Sequence, residues 1–280
     1  MRKRLAPWIV VLAIVALAAT PAFAFKLPGH EQIARTSLSP LGLPPNVLDT
    51  VVGSFVSGAG NLGSDRHQAD AFRHFDNEPD PATVCTRANE AWAKFYGEMR
   101  SSVQPAVGPD DAVTQRAERA RQFFGALTHA LQDFYSHSNW IETFLTQNVA
   151  PPLADMLFPA CTPSALPQGL QTGYYAFELT NWGGCPAGGP PPPYRYCHET
   201  LNKDNNSSIQ GRKTTAPDGP TYHQLAVQLA RAHTSKLYQI VTASLARDWT
   251  NDFPKADADC LIAHVFQDTK DPCLLNRPPS

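Results

Sequence analysis

THALQDFYSHSNWIE, residues 128–142, places His129, Asp133 and His137 at successive intervals of four residues. On an α-helix such positions step by about 40° around the axis, so the three side chains form one stripe. Imidazole and carboxylate groups are ligands that zinc prefers in proteins. The stripe therefore predicts a metal site built on one helix, with Glu142 one turn further along.

Helical periodicity runs through most of the chain, and no convincing run of alternating residues predicts a strand. The predicted helices cover residues 30–36, 46–57, 82–102, 110–148, 221–250 and 257–265. Their apolar positions recur at spacings of three and four, which is typical of helices that bury one face. We therefore expect an all-α fold, a helical bundle.

Residues 150–218 interrupt this pattern with repeated prolines and glycines. Such composition predicts irregular structure, and a connection of this length is often functional. We expect a long excursion on the surface, partly held by disulfides.

The first 24 residues read as a secretory signal peptide. MRKR is followed by an apolar run at 8–19 and by Ala-Phe-Ala at 22–24, which matches the charged, apolar and cleavage regions of such signals. A retained membrane anchor is the alternative. The remainder, residues 25–280, is predicted to be one domain that begins at Phe25 and is secreted or periplasmic.

Six cysteines lie after this segment, and an even count in an exported protein predicts three disulfides. Cys260 and Cys273 form the most local candidate pair, and two further pairs are expected around Cys161, Cys185 and Cys197. No cysteines are spaced as CxxC, so a thiolate zinc site is not expected.

The formal net charge of −2 gives no electrostatic footprint for stable binding to duplex DNA. A polyanionic substrate would therefore be held by a local site, most simply by metal ions.

Further metal-competent side chains lie in three other segments. The stretch GNLGSDRHQADAFRHFDNE, residues 60–78, contains Asp65, His67, Asp70, His74 and Asp76. The N-terminal segment after the signal contains His30, and the late segment contains His198, Glu199, Asp204 and His223. Together they supply more nitrogen and oxygen ligands than one closed zinc site requires.

The string HALQDFYSHSN resembles the metal-binding helix of zinc-dependent phospholipases C and single-strand-specific zinc nucleases. It is more similar to bacterial relatives of the fungal heterokaryon-incompatibility protein C (Het-C) family, which carry nearly this string. Their LNKD segment and following histidine have counterparts here in Leu201-Asn202-Lys203-Asp204 and in His223.

The resemblance implies an all-α fold with a cluster of two or three Zn²⁺ ions. Its implied ligands in this sequence are Phe25 through its backbone amine and carbonyl, His30, Asp65, His74, His129, Asp133 and His137. Asp133 would bridge two metals. His223 would supply a further imidazole. Because Val227 stands four residues after it, the last carboxylate would come from Asp204 or Glu142.

The resemblance also implies a secreted, phospholipase C-like phosphodiester hydrolase. Asp65 would act as the base, while the excursion and Phe134, Tyr135 and Trp140 would bind substrate. Phospholipid, with peripheral contact to a membrane surface, is the first expected substrate; a single-stranded nucleic acid is the second. A Het-C-like toxin or recognition module with a structural metal is the non-catalytic alternative. The number and mixture of ligands favour hydrolysis.

Overall fold

The computed structural model describes residues 26–56, 70–103, 111–176 and 185–269. Within these ranges the chain forms helices and no β-strand, only isolated bridges. The predicted all-α fold is therefore confirmed. The helices are α1 Lys26–Leu38, α2 Pro45–Val56, α3 Ala71–His74, α4 Pro81–Ala91, α5 Gly97–Ser102, α6 Asp111–His137, α7 Trp140–Leu145, α8 His198–Leu201, α9 Tyr222–Asp252 and α10 Lys255–Gln267.

Helix α6 is the centre of the molecule. Every residue from 120 to 141 is buried, and α1, α2, α3, α5, α9 and α10 all contact α6. A helix enclosed in this way is normally apolar all round. The polar stripe at positions 129, 133 and 137 is therefore carried into the core, where each polar group needs a partner.

A glycine sets how closely α2 approaches α6. A Cβ atom added at Gly125 would lie 2.0 Å from Ser54 Oγ and 2.2 Å from the Val51 carbonyl oxygen. Only a residue without a side chain fits here, because the backbone carbonyl of α2 cannot move aside easily. The close crossing anchors the middle of the stripe-bearing helix, four residues before His129.

The predicted continuous helix over 110–148 is wrong, because α6 ends at His137 and α7 begins at Trp140. Asn139 N–H donates to the Gln171 carbonyl (3.1 Å), its side-chain amide donates to the Gly169 carbonyl (3.0 Å), and its Oδ1 accepts from Gln171 N–H (2.9 Å). A distant loop thus takes the hydrogen bonds that a continuing helix would have used, which local periodicity cannot reveal.

The other long helices follow the prediction closely. The predicted helix over 82–102 is α4, a π-helical turn at Trp92–Tyr96 and α5 in direct succession. Asp80 and Thr83 form a capping box at the start of α4, and Thr221 and Gln224 form one at the start of α9. Each box satisfies backbone N–H groups that the first helical turn leaves without partners.

The described parts of the predicted excursion, residues 150–176 and 185–218, are largely irregular apart from short helical turns and α8, but parts of them enter the core. Leu157, Leu170 and Thr172 are fully buried. Disulfides join Cys85 to Cys161 and Cys185 to Cys197, and Cys260 is also disulfide-bonded. The expectation of a surface excursion is therefore wrong for these buried residues.

Across the described ranges, no helix combines the length and the apolar character that a membrane crossing requires. The predicted signal peptide over 1–24 lies outside the described residues.

Candidate metal centre

Helix α6 delivers His129, Asp133 and His137 into the core with exposed fractions of 0, 0 and 1%. Positions four residues apart advance about 6 Å along the helix axis. Side chains from other segments contact this stripe at two separate places. The predicted stripe is therefore divided between two clusters.

The first group, the Asp133 cluster, consists of His30, His74, His129 and Asp133. Asp133 Oδ1 lies 3.1 Å from His30 Nε2, and Asp133 Oδ2 lies 2.9 Å from His74 Nδ1 and 3.4 Å from His129 Nδ1. The rings of His30 and His129 are 4.2 Å apart between centroids. One carboxylate therefore faces three imidazoles contributed by α1, α3 and α6.

Gln132 orients the ring of His30. Its Oε1 lies 2.7 Å from His30 Nδ1, and its Nε2 donates to Thr234 Oγ1 on α9 (3.3 Å). Because Oε1 can only accept, the proton of a neutral His30 sits on Nδ1. Nε2, the nitrogen that faces Asp133, then carries the lone pair that a metal ion would bind. In metal sites, a hydrogen-bond partner of this kind usually fixes the tautomer and the ring orientation of the histidine.

The second group, the Asp76 cluster, consists of Asp76, His137, His198 and Asp204. Asp76 Oδ1 lies 3.0 Å from His198 Nδ1 and 3.6 Å from His137 Nδ1. His137 Nε2 lies 3.2 Å from Asp204 Oδ1. His198 Nε2 is buried without a hydrogen-bond partner. Two imidazoles are thus held between two carboxylates.

A left-handed turn sends His74 and Asp76 to different clusters. Phe75, between them, has φ = 49°, which is uncommon for a residue with a side chain. Its ring is fully buried and lies 5.6 Å from that of Phe134. Burial of the ring holds the turn, so two residues only two positions apart serve both groups.

Helix α8 brings His198 to the second cluster. His198 follows Cys197, whose disulfide to Cys185 restrains the chain, and its N–H donates to the Tyr174 carbonyl (2.9 Å). A Cβ added at Gly173 would lie 2.5 Å from His198 Cα. The close approach of the two backbones therefore depends on glycine at 173.

Lys203 ties the loop after α8 to the end of α6. Its fully buried ammonium donates to the carbonyls of Ser138 (2.8 Å) and Leu201 (2.7 Å) and lies 3.1 Å from Glu142 Oε1. The Lys203 pKa is lowered by burial, while Glu142 opposes this shift. The tether places the neighbouring Asp204 beside His137.

The carboxylates of both clusters are held in the ionised form. Burial raises the pKa of Asp133, but His129, His30 and His74 outweigh it and hold this pKa well below the usual range. Burial acts on Asp76 in the same way, and His198 and His137 outweigh it there. Burial lowers the pKa of His137, but the carboxylates of Asp204 and Asp76 outweigh it and raise this pKa to about 10. Both clusters therefore favour a bound positive charge.

Each cluster contains three side chains that offer ligand atoms within 4.8 Å of one another. These are His30, His129 and Asp133 in one and Asp76, His137 and His198 in the other. Imidazole nitrogen with carboxylate oxygen is a donor set that suits zinc and related divalent ions. Both groups fit such an ion chemically.

The structure brings together His30, His74, His129 and Asp133 of the predicted ligand set. It places Asp204 beside His137 and not beside His223, the imidazole with which the sequence analysis grouped it. Glu142 pairs with Lys203 and not with a histidine. His223 lies at the start of α9, where its Nδ1 is 2.7 Å from the Lys203 carbonyl oxygen, and it belongs to neither cluster found in the described residues. Phe25 and Asp65 lie outside those residues. The ligand roles of the whole predicted set stay predictions.

Two members of the second cluster, Asp76 and His198, are metal-competent in the sequence analysis but are not among its implied ligands. Asp76 stands two residues after His74, and His198 directly follows a cysteine of the excursion. A histidine next to a disulfide-forming cysteine was the available signal, since a disulfide restrains where that histidine can lie.

The predicted role of Phe134, Tyr135 and Trp140 in substrate binding is wrong. All three are fully buried, and the Trp140 indole donates to the Pro152 carbonyl (2.9 Å). They form part of the hydrophobic core around α6.

Comparison with known proteins points to one group. The family model described as the VWA7 N-terminal domain matches residues 95–156, which include His129, Asp133 and His137. Human von Willebrand factor A domain-containing protein 7 is 30% identical over 194 residues, 63% of this chain and 20% of that protein. The mouse protein of the same name is 27% identical over 201 residues, 64% of this chain and 20% of that protein. The rat protein is 33% identical over 145 residues, 46% of this chain and 16% of that protein.

The chain thus spans about a fifth of the length of the curated relatives it matches. No solved structure matches it. The predicted membership in the Het-C family, within the phospholipase C and nuclease superfamily, is wrong, because the matching family model and relatives are VWA7 proteins. The same finding contradicts the predicted zinc-dependent phosphodiester hydrolase. It also contradicts the two alternatives that rested on that family, the single-strand nuclease and the Het-C-like toxin or recognition module. The chain is similar to the N-terminal domain of VWA7 proteins.

Proposed function

We propose that this chain is a metal-binding domain that holds one divalent ion, zinc, in each of the two clusters, and that the ions stabilise the fold. One observation carries the proposal. Eight imidazole and carboxylate side chains converge around α6, and none is more than 6% exposed: His30, His74, Asp76, His129, Asp133, His137, His198 and Asp204.

The cost of burying so many ionisable groups supports bound cations. A buried charge is tolerated only when it is paired or coordinates a metal. His198 Nε2 is buried without a hydrogen-bond partner, and Asp133 Oδ1 is buried 3.1 Å from His30 Nε2 in a contact that does not meet hydrogen-bond geometry. A cation in each cluster would bind these buried atoms and would replace the protons that the imidazoles otherwise need.

The burial of the ligands favours a structural role over a catalytic one. Structural zinc sites are closed by protein ligands, whereas catalytic sites keep a position open to water or substrate. The ligand side chains are enclosed by the packed helices, and the Asp133 carboxylate is fully buried. The mixture of many ligands, which had suggested hydrolysis from sequence, is accounted for by two separate closed sites.

Metal binding would join segments that are distant in the chain. His30 belongs to α1, His74 and Asp76 to α3 and the turn after it, and His198 and Asp204 to α8 and the following loop. All of them meet on α6. A bound ion in each cluster therefore restrains these segments against the central helix and couples metal affinity to folding.

Elemental analysis of the purified, disulfide-intact protein tests the proposal. We expect about two zinc ions per chain, because the ligands form two separate groups. Treatment with a strong chelator is expected to lower the melting temperature by more than about 10 °C, since structural zinc contributes directly to folding free energy. Protein that carries no divalent ion, even after refolding with zinc, would contradict the proposal.

A pair of matched histidine variants locates the ions. His129→Asn removes a ligand of the Asp133 cluster and is expected to lower the zinc content by one ion per chain. His223→Asn changes a helical histidine outside both clusters and is expected to leave the zinc content unchanged. Equal zinc content in the two variants would exclude the Asp133 cluster as a site.

We also propose that the domain is secreted or periplasmic. The two described disulfides and the bonded Cys260 support this, because disulfides persist mainly in oxidising compartments. Alkylation of free thiols in protein taken directly from the producing cells, followed by mass measurement, tests it. We expect no free thiol, and six alkylated cysteines would contradict it.

A further inference from the structure

A cavity of about 440 Å³ lies between α1 and the first turns of α9, outside both metal clusters. Cavities of this size are typical of sites for small molecules. Its polar lining residues are Gln32, Asn206, His223, Gln224, Gln228 and Arg231. None of the lining residues in the described chain is acidic, so the cavity wall carries a positive charge and several amide groups.

Arg231 is the charged group of this wall. Its side chain is half-buried, and its Nε is buried without a hydrogen-bond partner. No carboxylate pairs with Arg231 within the described ranges, whereas arginines such as Arg87, Arg121 and Arg247 each have one. A half-buried guanidinium that lacks its counter-ion in a concave site is suited to bind one from solution.

The remaining residues that line the cavity are also suited to binding an anion. His223, Val227 and Arg231 are spaced four residues apart on α9 and so share one face. Glutamine and asparagine side chains beside Arg231 supply neutral N–H donors, while Ile33 and Val227 supply apolar surface. The cavity thus combines one fixed positive charge with neutral donors and an apolar wall.

We propose that this cavity binds a small organic anion through its phosphate or carboxylate group, with Arg231 as the anchoring residue. The anion would supply the acceptors that the guanidinium lacks, and the amides would contact the rest of the molecule. The inference does not depend on metal binding, since none of the eight cluster side chains lines the cavity.

Calorimetric titration of the purified, disulfide-intact protein with inorganic phosphate, and separately with acetate, tests the proposal at constant ionic strength. We expect saturable binding in at least one arm, and the tighter arm identifies the recognised group. Arg231→Gln is expected to weaken that binding at least about tenfold, because the variant loses the charge-assisted hydrogen bonds to the anion.

The matched control is Arg247→Gln, which removes the same charge from an exposed position on the same helix. Binding by this variant is expected to equal that of the original protein. Absence of saturable binding in both arms, or equal weakening in the two arginine variants, overturns the proposal. Loss of anion binding in His129→Asn with retention in Arg231→Gln also overturns it, because the anion would then bind at the metals.

A second measurement needs no substitution and so does not depend on a variant that folds. Arginine side chains of the original protein are modified with phenylglyoxal, with and without the tighter-binding anion, and each site is quantified by peptide mass spectrometry. Modification of Arg231 is expected to slow at least about fivefold with the anion bound, since a guanidinium held in charge-assisted hydrogen bonds is not free to react. Equal protection of Arg231 and Arg247 would overturn the proposal.

Discussion

The Asp133 cluster and the Tyr135–His233 pair are two buried regions built on the same helix, and they treat imidazole in opposite ways. In the cluster, three imidazoles face a carboxylate whose pKa is held well below its usual range. In the pair, His233 Nδ1 lies 2.8 Å from the Tyr135 hydroxyl. Burial lowers the pKa of His233 to about 4, and Asp155 offsets this only in part.

This difference separates two effects on the pKa of a buried histidine: the effect of burial alone and the effect of a contacting carboxylate. A buried imidazole without a carboxylate stays neutral because its charged form is poorly solvated. A buried imidazole between carboxylates, such as His137, binds a positive charge firmly. Only the second environment prepares the core for a cation, and the two clusters therefore differ in kind from an ordinary core histidine.

Removal of the carboxylate should have the largest effect. Asp133→Asn leaves His30, His74 and His129 without their anion, and we expect one zinc ion fewer per chain and a loss of roughly 3–5 kcal/mol in the free energy of unfolding. Denaturant unfolding and elemental analysis measure the two quantities. The control is Asp259→Asn, which breaks an exposed pair with Lys255 and should cost at most about 1 kcal/mol. Equal losses of unfolding free energy in Asp133→Asn and Asp259→Asn would contradict a stabilising buried carboxylate at Asp133.

The pH dependence of the Tyr135–His233 pair should give the next largest effect. Because the pKa of His233 falls from 6.5 to about 4 on folding, the unfolded chain binds the extra proton between these values. The contribution of His233 to the free energy of unfolding is therefore fully present above pH 6.5. It falls by roughly 3 kcal/mol as the pH drops towards 4.

His233→Asn isolates this contribution. Asparagine retains an acceptor for the Tyr135 hydroxyl but does not titrate. Chemical denaturation at pH 7.5 and pH 4.5 should show a smaller acid-induced loss in the variant than in the original protein, with carboxylate contributions common to both. Parallel pH profiles for the two proteins would mean that folding does not lower the pKa of His233.

The smallest of these effects is expected for Lys203, the buried lysine that pairs with Glu142 and not with a carboxylate of either cluster. Lys203→Met keeps the volume but removes the donor to the Ser138 and Leu201 carbonyls. We expect a loss of about 2 kcal/mol in unfolding free energy, because buried acceptors lose their partner while the cost of burying the ammonium is relieved. Lys255→Met, at an exposed lysine, is the control, and an equal change in both variants would contradict the tether.

Much of the helical framework follows from the sequence. Apolar spacings of three and four, together with capping residues, locate most of the long helices, since both signals arise within a few turns of chain. The stripe on α6 follows in the same way. The family assignment failed because a short string of ligands reports the chemistry of one helix and not the ancestry of the whole chain.

The sequence by itself determined an all-α fold and a central helix that carries His129, Asp133 and His137 on one face, because helical periodicity is local. Tertiary structure decided that this stripe is shared between two clusters. The left-handed turn at Phe75, the helix break at Asn139 and the placement of His198 by the Cys185–Cys197 disulfide all depend on contacts between distant segments. Such contacts are set by the packing of the whole core, which no local pattern encodes.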